Sequence, residues 1–246
     1  DYNVRCEYKD GKWGELYATE DVNMNIHMAS TCLHYGQEVF EGLKAFRGAD
    51  GKVRLFRVEE NAKRMINSGE YLKMAVPSVE LFTKACIEAV KLNADYIPPY
   101  GSGASLYLRP MLIGVGPQVG VKPSADYLFA VFVTPVGPYY KDGFNCIKVI
   151  IDYDHDRAAP KGTGHVKVGG NYAASLDSGE IAHQKGFASV IFLDPATKQY
   201  IDECSAANFF GIRDGKYITP DSHSVLPSIT NKSLRQIAED LGLKVE

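Results

Sequence analysis

The 246-residue sequence contains no apolar run approaching the roughly 20 residues that cross a bilayer, which argues against a membrane-spanning helix. It has no excess of positive charge: 27 Lys and Arg stand against 30 Asp and Glu, a formal net charge of −3. Nucleic acid and anionic membrane surfaces both demand a basic footprint, so neither is the expected partner. Cysteine is sparse. The five residues Cys6, Cys32, Cys86, Cys146 and Cys204 are odd in number and scattered, with no Cys-x-x-Cys pair. That pattern predicts reduced thiols in a cytoplasmic protein, with neither a disulfide framework nor a metal site. Asp1-Tyr2-Asn3-Val4-Arg5 lacks the apolar core of a signal peptide. Internal repeats, low-complexity tracts and blocks of like charge are also missing. What remains is a globular composition, 45% hydrophobic and 23% charged, long enough for one large domain or two modest ones.

Periodicity organises the chain into two α/β parts. Val58, Ala62, Met65, Ile66 and Leu72 recur near helical spacing and predict a helix over 58–72. A second helix is predicted after Pro77, with Ser78 as N-cap and Glu80 in its positive first turn. Its apolar face is Leu81, Phe82, Ala85, Cys86, Ala89 and Val90. Strands are predicted at 105–115 and 126–134. The stretch 135–143, Pro-Val-Gly-Pro-Tyr-Tyr-Lys-Asp-Gly, reads as a linker because its prolines and glycines suit neither a helix nor a central strand. This divides the chain into domains 1–134 and 144–246. Strand-like runs follow at 146–152, 188–193 and 207–213, with a helix around 170–185. The last helix sets Leu234, Ile237, Ala238 and Leu241 on one face and stops at Gly242. A new strand begins at Lys244 as the sequence ends.

Three segments carry chemistry. Gly162-Thr163-Gly164-His165-Val166-Lys167-Val168-Gly169-Gly170-Asn171-Tyr172 surrounds one lysine with four glycines and apolar neighbours. It fits neither a phosphate-loop nor a dinucleotide fingerprint. Partial desolvation would lower the lysine pKa, as Schiff-base lysines require, although a solvated surface loop has a similar composition. In Ile201-Asp202-Glu203-Cys204-Ser205-Ala206-Ala207-Asn208-Phe209-Phe210, Glu203 opens a run of small residues before an apolar strand. It could sit beneath a planar ligand and pair with a protonated ring nitrogen; the plainer reading is a turn carboxylate facing water. Leu226-Pro227-Ser228-Ile229-Thr230 starts the last helix, where free N–H groups and the helix dipole favour phosphate, or where Ser228 or Thr230 serves only as a cap. Arg64, on the first predicted helix, could reinforce a phosphate site. Together the segments describe a planar ligand with a ring nitrogen, an aldehyde and a phosphate. Pyridoxal 5′-phosphate has all of these.

These residues resemble the fold-type IV pyridoxal-phosphate aminotransferases, most closely the branched-chain amino acid aminotransferases. The resemblance covers nearly the whole chain. It runs through Leu33–Arg47 (LHYGQEVFEGLKAFR), Tyr107-Leu108-Arg109-Pro110, Val136-Gly137-Pro138-Tyr139, Lys167–Tyr172, Glu203–Phe210 and Leu226–Thr230. It implies an α+β, two-domain fold with a small N-terminal α/β domain and a larger C-terminal pseudo-barrel domain, incomplete here. It also implies that Lys167 carries the cofactor aldehyde and shuttles the substrate proton. Glu203 would pair with the pyridine nitrogen and Tyr172 with the ring's phenolic oxygen; Arg64, Ile229 and Thr230 would hold the phosphate. Tyr35, Phe40, Tyr107, Arg109 and Tyr139 fall on substrate-pocket positions, where an arginine among tyrosines can accept the second carboxylate of glutamate. Val121 falls on a position reaching the neighbouring subunit's site, which implies a homodimer. The implied activity is ping-pong transamination of L-Leu, L-Ile or L-Val with 2-oxoglutarate. Within the fold type the alternatives are a D-amino acid aminotransferase or an aminodeoxychorismate lyase. The chain departs from the family at Ser228, where glycine is usual, and at Asn231, where a basic residue is usual. Relatives continue past Glu246 with further strands and a phosphate-binding loop, so a catalytically incomplete fragment is the remaining alternative.

Overall fold

Asp10 and Gly11, both at positive φ (51° and 77°), reverse the chain between its first two strands, β1 (Asn3–Lys9) and β2 (Lys12–Trp13). β3 (Tyr17–Thr19) and a short helix, α1 (Thr31–Tyr35), lead to β4 (Glu38–Phe40), β5 (Leu43–Arg47) and β6 (Val53–Leu55). The helices α2 (Val58–Tyr71) and α3 (Val79–Leu92) precede the long hairpin of β7 (Ser105–Gly114) and β8 (Tyr127–Val136). The computed structural model describes residues 1–138, 143 and 145–246, which fall into two units, 1–144 and 145–246.

The first unit is built on an eight-stranded antiparallel sheet in the order β2-β1-β8-β7-β5-β6, with β3 added to β1 and β4 to β7. The two-residue period sorts β7 by face: Leu106, Leu108 and Leu112 are fully buried, while Tyr107 and Arg109 stand half-buried on the other side. Helix α3 packs on β1 and β8 through the face that its spacing predicts. Phe82, Ala85, Cys86 and Ala89 are completely buried, and Phe82 stacks on Phe129 with ring centroids 5.8 Å apart. Ser78 caps α3 by accepting from the Leu81 N–H at 3.1 Å. Helix α2 therefore ends one residue short of its predicted span, and α3 begins directly after its predicted cap.

Prolines sit inside both hairpin strands. Pro110 lies opposite the break between β4 and β5, where Glu41 and Gly42 leave the ladder, so its missing N–H costs no strand pairing on that side. Pro135 pairs with Leu106 in β8, which corrects the expectation that non-strand chain begins at 135. The pairing of β1 with β8 ends at Val131, leaving Pro135 at an edge where proline is tolerated.

In the second unit, β9 (Val149–Asp152) runs through α4 (Gly169–Ala174) and α5 (Leu176–Gln184) to β10 (Ser189–Leu193), which pairs parallel with β9. β11 (Ile201–Cys204) adds antiparallel to β10. Ala182, Val190 and Phe192 form the core of this layer. A second three-stranded sheet joins β12 (Gly211–Arg213), β13 (Lys216–Ile218) and, beyond α6 (Ile229–Asp240), β14 (Lys244–Val245). The architecture is α+β, with two open sheets in the second unit rather than one closed barrel.

Two expectations change here, and one open alternative closes. The helix expected over 170–185 is interrupted at Ser175, the C-cap of α4 and N-cap of α5. The strand expected at 207–213 is confined to Gly211–Arg213. Glu203 lies within β11 rather than in a water-facing turn. Asp202 and Glu203 are buried at 4% and 2% exposure, so this strand hides two acids and carries no hydrophobic signature. On α6, Ala238 is buried but Ile237 and Leu241 are 51% and 75% exposed, so only part of the shared apolar face is covered.

Candidate active site

In the second unit, Lys167 stands just before α4. Its Nζ donates to the Tyr172 hydroxyl at 2.7 Å and lies 5.1 Å from the centre of that ring. The loop carrying Lys167 is pinned from within: Asn171 donates to the carbonyls of Thr163 (2.7 Å) and Val166 (2.9 Å) and accepts from the Thr163 hydroxyl. These bonds satisfy carbonyls of a loop that belongs to no strand.

Glu203 is held by a different set. Arg157 Nη1 approaches its Oε1 at 2.6 Å, the Leu226 N–H donates to Oε1 at 3.1 Å, and Asn208 donates to Oε2 at 2.8 Å. Burial pushes the Glu203 carboxyl up to about 7, against the opposing pull of the Arg157 guanidinium and these donors. Arg157 is itself buried and also donates to the Gly164 and Ser224 carbonyls at 3.2 and 2.9 Å. One guanidinium therefore ties the lysine loop to the carboxylate strand. Gly164 permits this close approach, because a Cβ there would lie 2.2 Å from the Ser224 carbonyl oxygen.

The start of α6 joins the same network. Ser228 caps the helix by accepting from the Asn231 N–H at 3.1 Å. Ile229 is buried and Thr230 exposed. Asn208 donates to the Leu226 carbonyl at 3.0 Å as well as to Glu203, while Asn231 donates to Asn208 Oδ1 and to the Thr219 hydroxyl. Asn231 is thus a link between this helix and the Glu203 strand.

The other sequence-identified residues lie in the first unit. Arg64 on α2 forms a bidentate ion pair with Glu41, Nε to Oε1 at 2.7 Å and Nη2 to Oε2 at 2.8 Å. On the exposed face of β7, Arg109 donates from Nη2 to the Tyr107 hydroxyl at 2.9 Å and stacks over Phe40 at 4.7 Å. Tyr35 and Val121 line a separate cavity of about 300 Å³ with Thr31, Gly36 and Gln37. The Tyr35 hydroxyl donates to the Val119 carbonyl. Tyr139 lies outside the described residues.

Sequence reasoning missed Arg157, Asn208, Glu41 and Asn61. Arg157 had an indirect signal, since a carboxylate buried at 203 requires a cation. Asn61 had none, because an asparagine in a helix reads as a surface residue.

The family described as Amino-transferase class IV matches residues 38–246. The branched-chain-amino-acid aminotransferase of Haemophilus influenzae is 53% identical over 99% of this chain and 73% of its own length. The crystal structure of the Escherichia coli branched-chain amino acid aminotransferase superposes with a TM-score of 0.82 at 28% identity, covering 100% of this chain and 76% of that one. The branched-chain amino acid aminotransferase of T.th., complexed with N-(5′-phosphopyridoxyl)-L-glutamate, gives 0.76 at 29% identity over 99% and 75%. The chain spans about three-quarters of the length of these relatives. It belongs to the class IV aminotransferases, close to the branched-chain-amino-acid aminotransferases among them.

Proposed function

We infer that this chain transaminates branched-chain L-amino acids with 2-oxoglutarate, using pyridoxal 5′-phosphate. The observation that carries the reading is the assembly, within one unit, of a lysine against a phenol, a buried carboxylate and a helix start. Their chemistry fits the cofactor. A carboxyl raised to about 7 by burial gains from a cationic ring nitrogen beside it, and the start of α6 offers backbone donors to a phosphate. When bound, pyridoxal phosphate supplies an aldehyde to take up the amino group and a pyridinium ring to withdraw electrons.

The chain supplies the rest. Lys167 would hold the cofactor through its aldehyde, and its amine would carry the proton from the substrate Cα to the cofactor's C4′ carbon, as general base and then as general acid. Tyr172 orients that amine and donates toward the ring's phenolic oxygen. Glu203, held by Arg157, keeps the ring nitrogen protonated. Arg64, Ile229 and Thr230 bind the phosphate. Phe40, Tyr107, Arg109 and Tyr139 line the substrate pocket, with an apolar wall for Leu, Ile or Val and the guanidinium for the second carboxylate of glutamate.

The chain acts as a homodimer. Tyr35 also lines the substrate pocket, and its contact with the Val119 carbonyl ties it to the loop bearing Val121, which reaches the neighbouring subunit's site. Among the described residues no helix is long and apolar enough to cross a membrane. The free cysteines fit a reducing, cytoplasmic setting, and the partners are small amino and 2-oxo acids. Initial rates with L-leucine and 2-oxoglutarate varied together test the reading. Parallel double-reciprocal lines, with D-alanine inert, support it; intersecting lines or a preference for D-alanine contradict it.

A further inference from the structure

Glu41 and Gly42 fill the gap between β4 and β5, opposite Arg109 and Pro110 of β7. Glu41 is fully buried. Its N–H donates to the Pro110 carbonyl at 2.8 Å, and its carboxylate accepts the Arg64 fork and the Asn61 amide at 2.8 Å. Asn61 and Arg64 are three residues apart on α2, so both reach one carboxylate from the same helix face. A buried ion pair offers little stability over apolar side chains of the same volume, so its placement here calls for another reason. The pair fixes the Nε–Nη2 edge of Arg64 and turns the opposite edge of the guanidinium away from Glu41.

Gly42 acts on the other arginine. A Cβ at this position would lie 2.2 Å from the Tyr107 hydroxyl oxygen and 3.0 Å from Cζ of the same ring. That hydroxyl is the acceptor for Arg109 Nη2, and the Arg109 guanidinium stacks on Phe40, the residue preceding Glu41.

We propose that the Glu41–Gly42 step is a shared brace: Glu41 aims Arg64 at the cofactor phosphate, and the bare Cα of Gly42 admits Tyr107, which sets Arg109 for the second carboxylate of glutamate. Both are positioning residues. The inference rests on the proposed roles of Arg64 and Arg109.

The test compares affinities of the cofactor-stripped full chain for pyridoxal phosphate and for pyridoxal, which lacks the phosphate. Glu41→Gln is expected to lower the ratio of the two affinities about tenfold or more, with pyridoxal binding little changed. A general loss of structure would instead lower both affinities together. The double variant Glu41→Gln/Arg64→Gln should lose no more than Arg64→Gln alone. Glu41→Asp keeps the charge but shortens its reach; it should also lower the ratio, and it decides the matter if Glu41→Gln does not fold. Gly42→Ala should leave the ratio intact and raise KM for L-glutamate at least several-fold more than KM for L-leucine. An unchanged ratio in the Glu41 variants while Arg64→Gln loses it overturns the Glu41 half alone. Equal KM effects of Gly42→Ala on both substrates overturn the Gly42 half. An unchanged ratio in Arg64→Gln removes the phosphate role of Arg64, and the Glu41 half falls with it.

Discussion

Replacing Lys167 by alanine removes the amine that sits 2.7 Å from the Tyr172 hydroxyl and leaves the start of α6 untouched. Cofactor affinity is expected to persist in weakened form, while turnover of L-leucine falls about 100-fold or more, the scale of a lost general acid–base group. Wild-type turnover in that variant would contradict the assignment. Glu203 gives a second prediction, readable without cofactor. Its carboxyl is raised from an ordinary 4.5 to about 7, so the folded chain favours the protonated form. The stability this contributes is complete below about 4.5 and lost as pH rises through about 7, by up to about 3 kcal/mol. Thermal melts of the cofactor-free chain, compared with Glu203→Gln between pH 5 and 8, should show wild type losing ground as pH rises. Equal pH profiles would mean that Arg157 keeps Glu203 ionised throughout. Lys167 is legible in the sequence because four glycines and apolar neighbours mark it. The meaning of Glu203 is not, since β11 hides two acids in a buried strand and hydropathy reads acids as exposed.

At the scale of elements, the approach of the Lys167 loop to Ser224 leaves no room for a side chain at Gly164. Gly164→Ala would set a Cβ 2.2 Å from the Ser224 carbonyl oxygen and 2.6 Å from its Cα, atoms that cannot rotate aside. It is expected to destabilise by about 1–3 kcal/mol and to disturb the carbonyls that Arg157 grips. Gly179→Ala, in α5 with no atom within 4 Å of the added Cβ, is the matched control. It should stabilise by about 0.4–1 kcal/mol by restricting the unfolded chain. Melting curves in which both variants behave alike would refute the packing argument. The long helices were readable because α2 and α3 combine periodicity with, for α3, a serine cap that makes its bond. The break at Ser175 was not: Ser175 and Asp177 suit a helix start, but no glycine or proline in 171–177 stops the helix before them. Pro135 misled for a definable reason, since proline forbids a central strand but not the stretch of β8 beyond its last pairing with β1.

For the whole molecule, the exposed Val119 and Val121, 83% and 84% accessible, form an apolar loop tip that a partner subunit would cover. A mass of about twice 27.1 kDa in analytical ultracentrifugation is expected, and Val121→Asp should shift it toward the monomer. A monomer at all concentrations would contradict the shared-site arrangement of Tyr35 and Val121. Periodicity and the glycine–proline stretch are the sequence basis for expecting two α/β parts. The contacts that make sites of the motifs, Arg157 with Glu203 and Glu41 with Arg64, join residues 46 and 23 apart in sequence and only folding brings them together. The most direct test of the central claim is the near-visible absorbance of the purified chain with pyridoxal phosphate, before and after L-leucine. A protein-bound band distinct from that of free cofactor, bleached by L-leucine, is the predicted result. A spectrum identical to free pyridoxal phosphate and unmoved by L-leucine would contradict it.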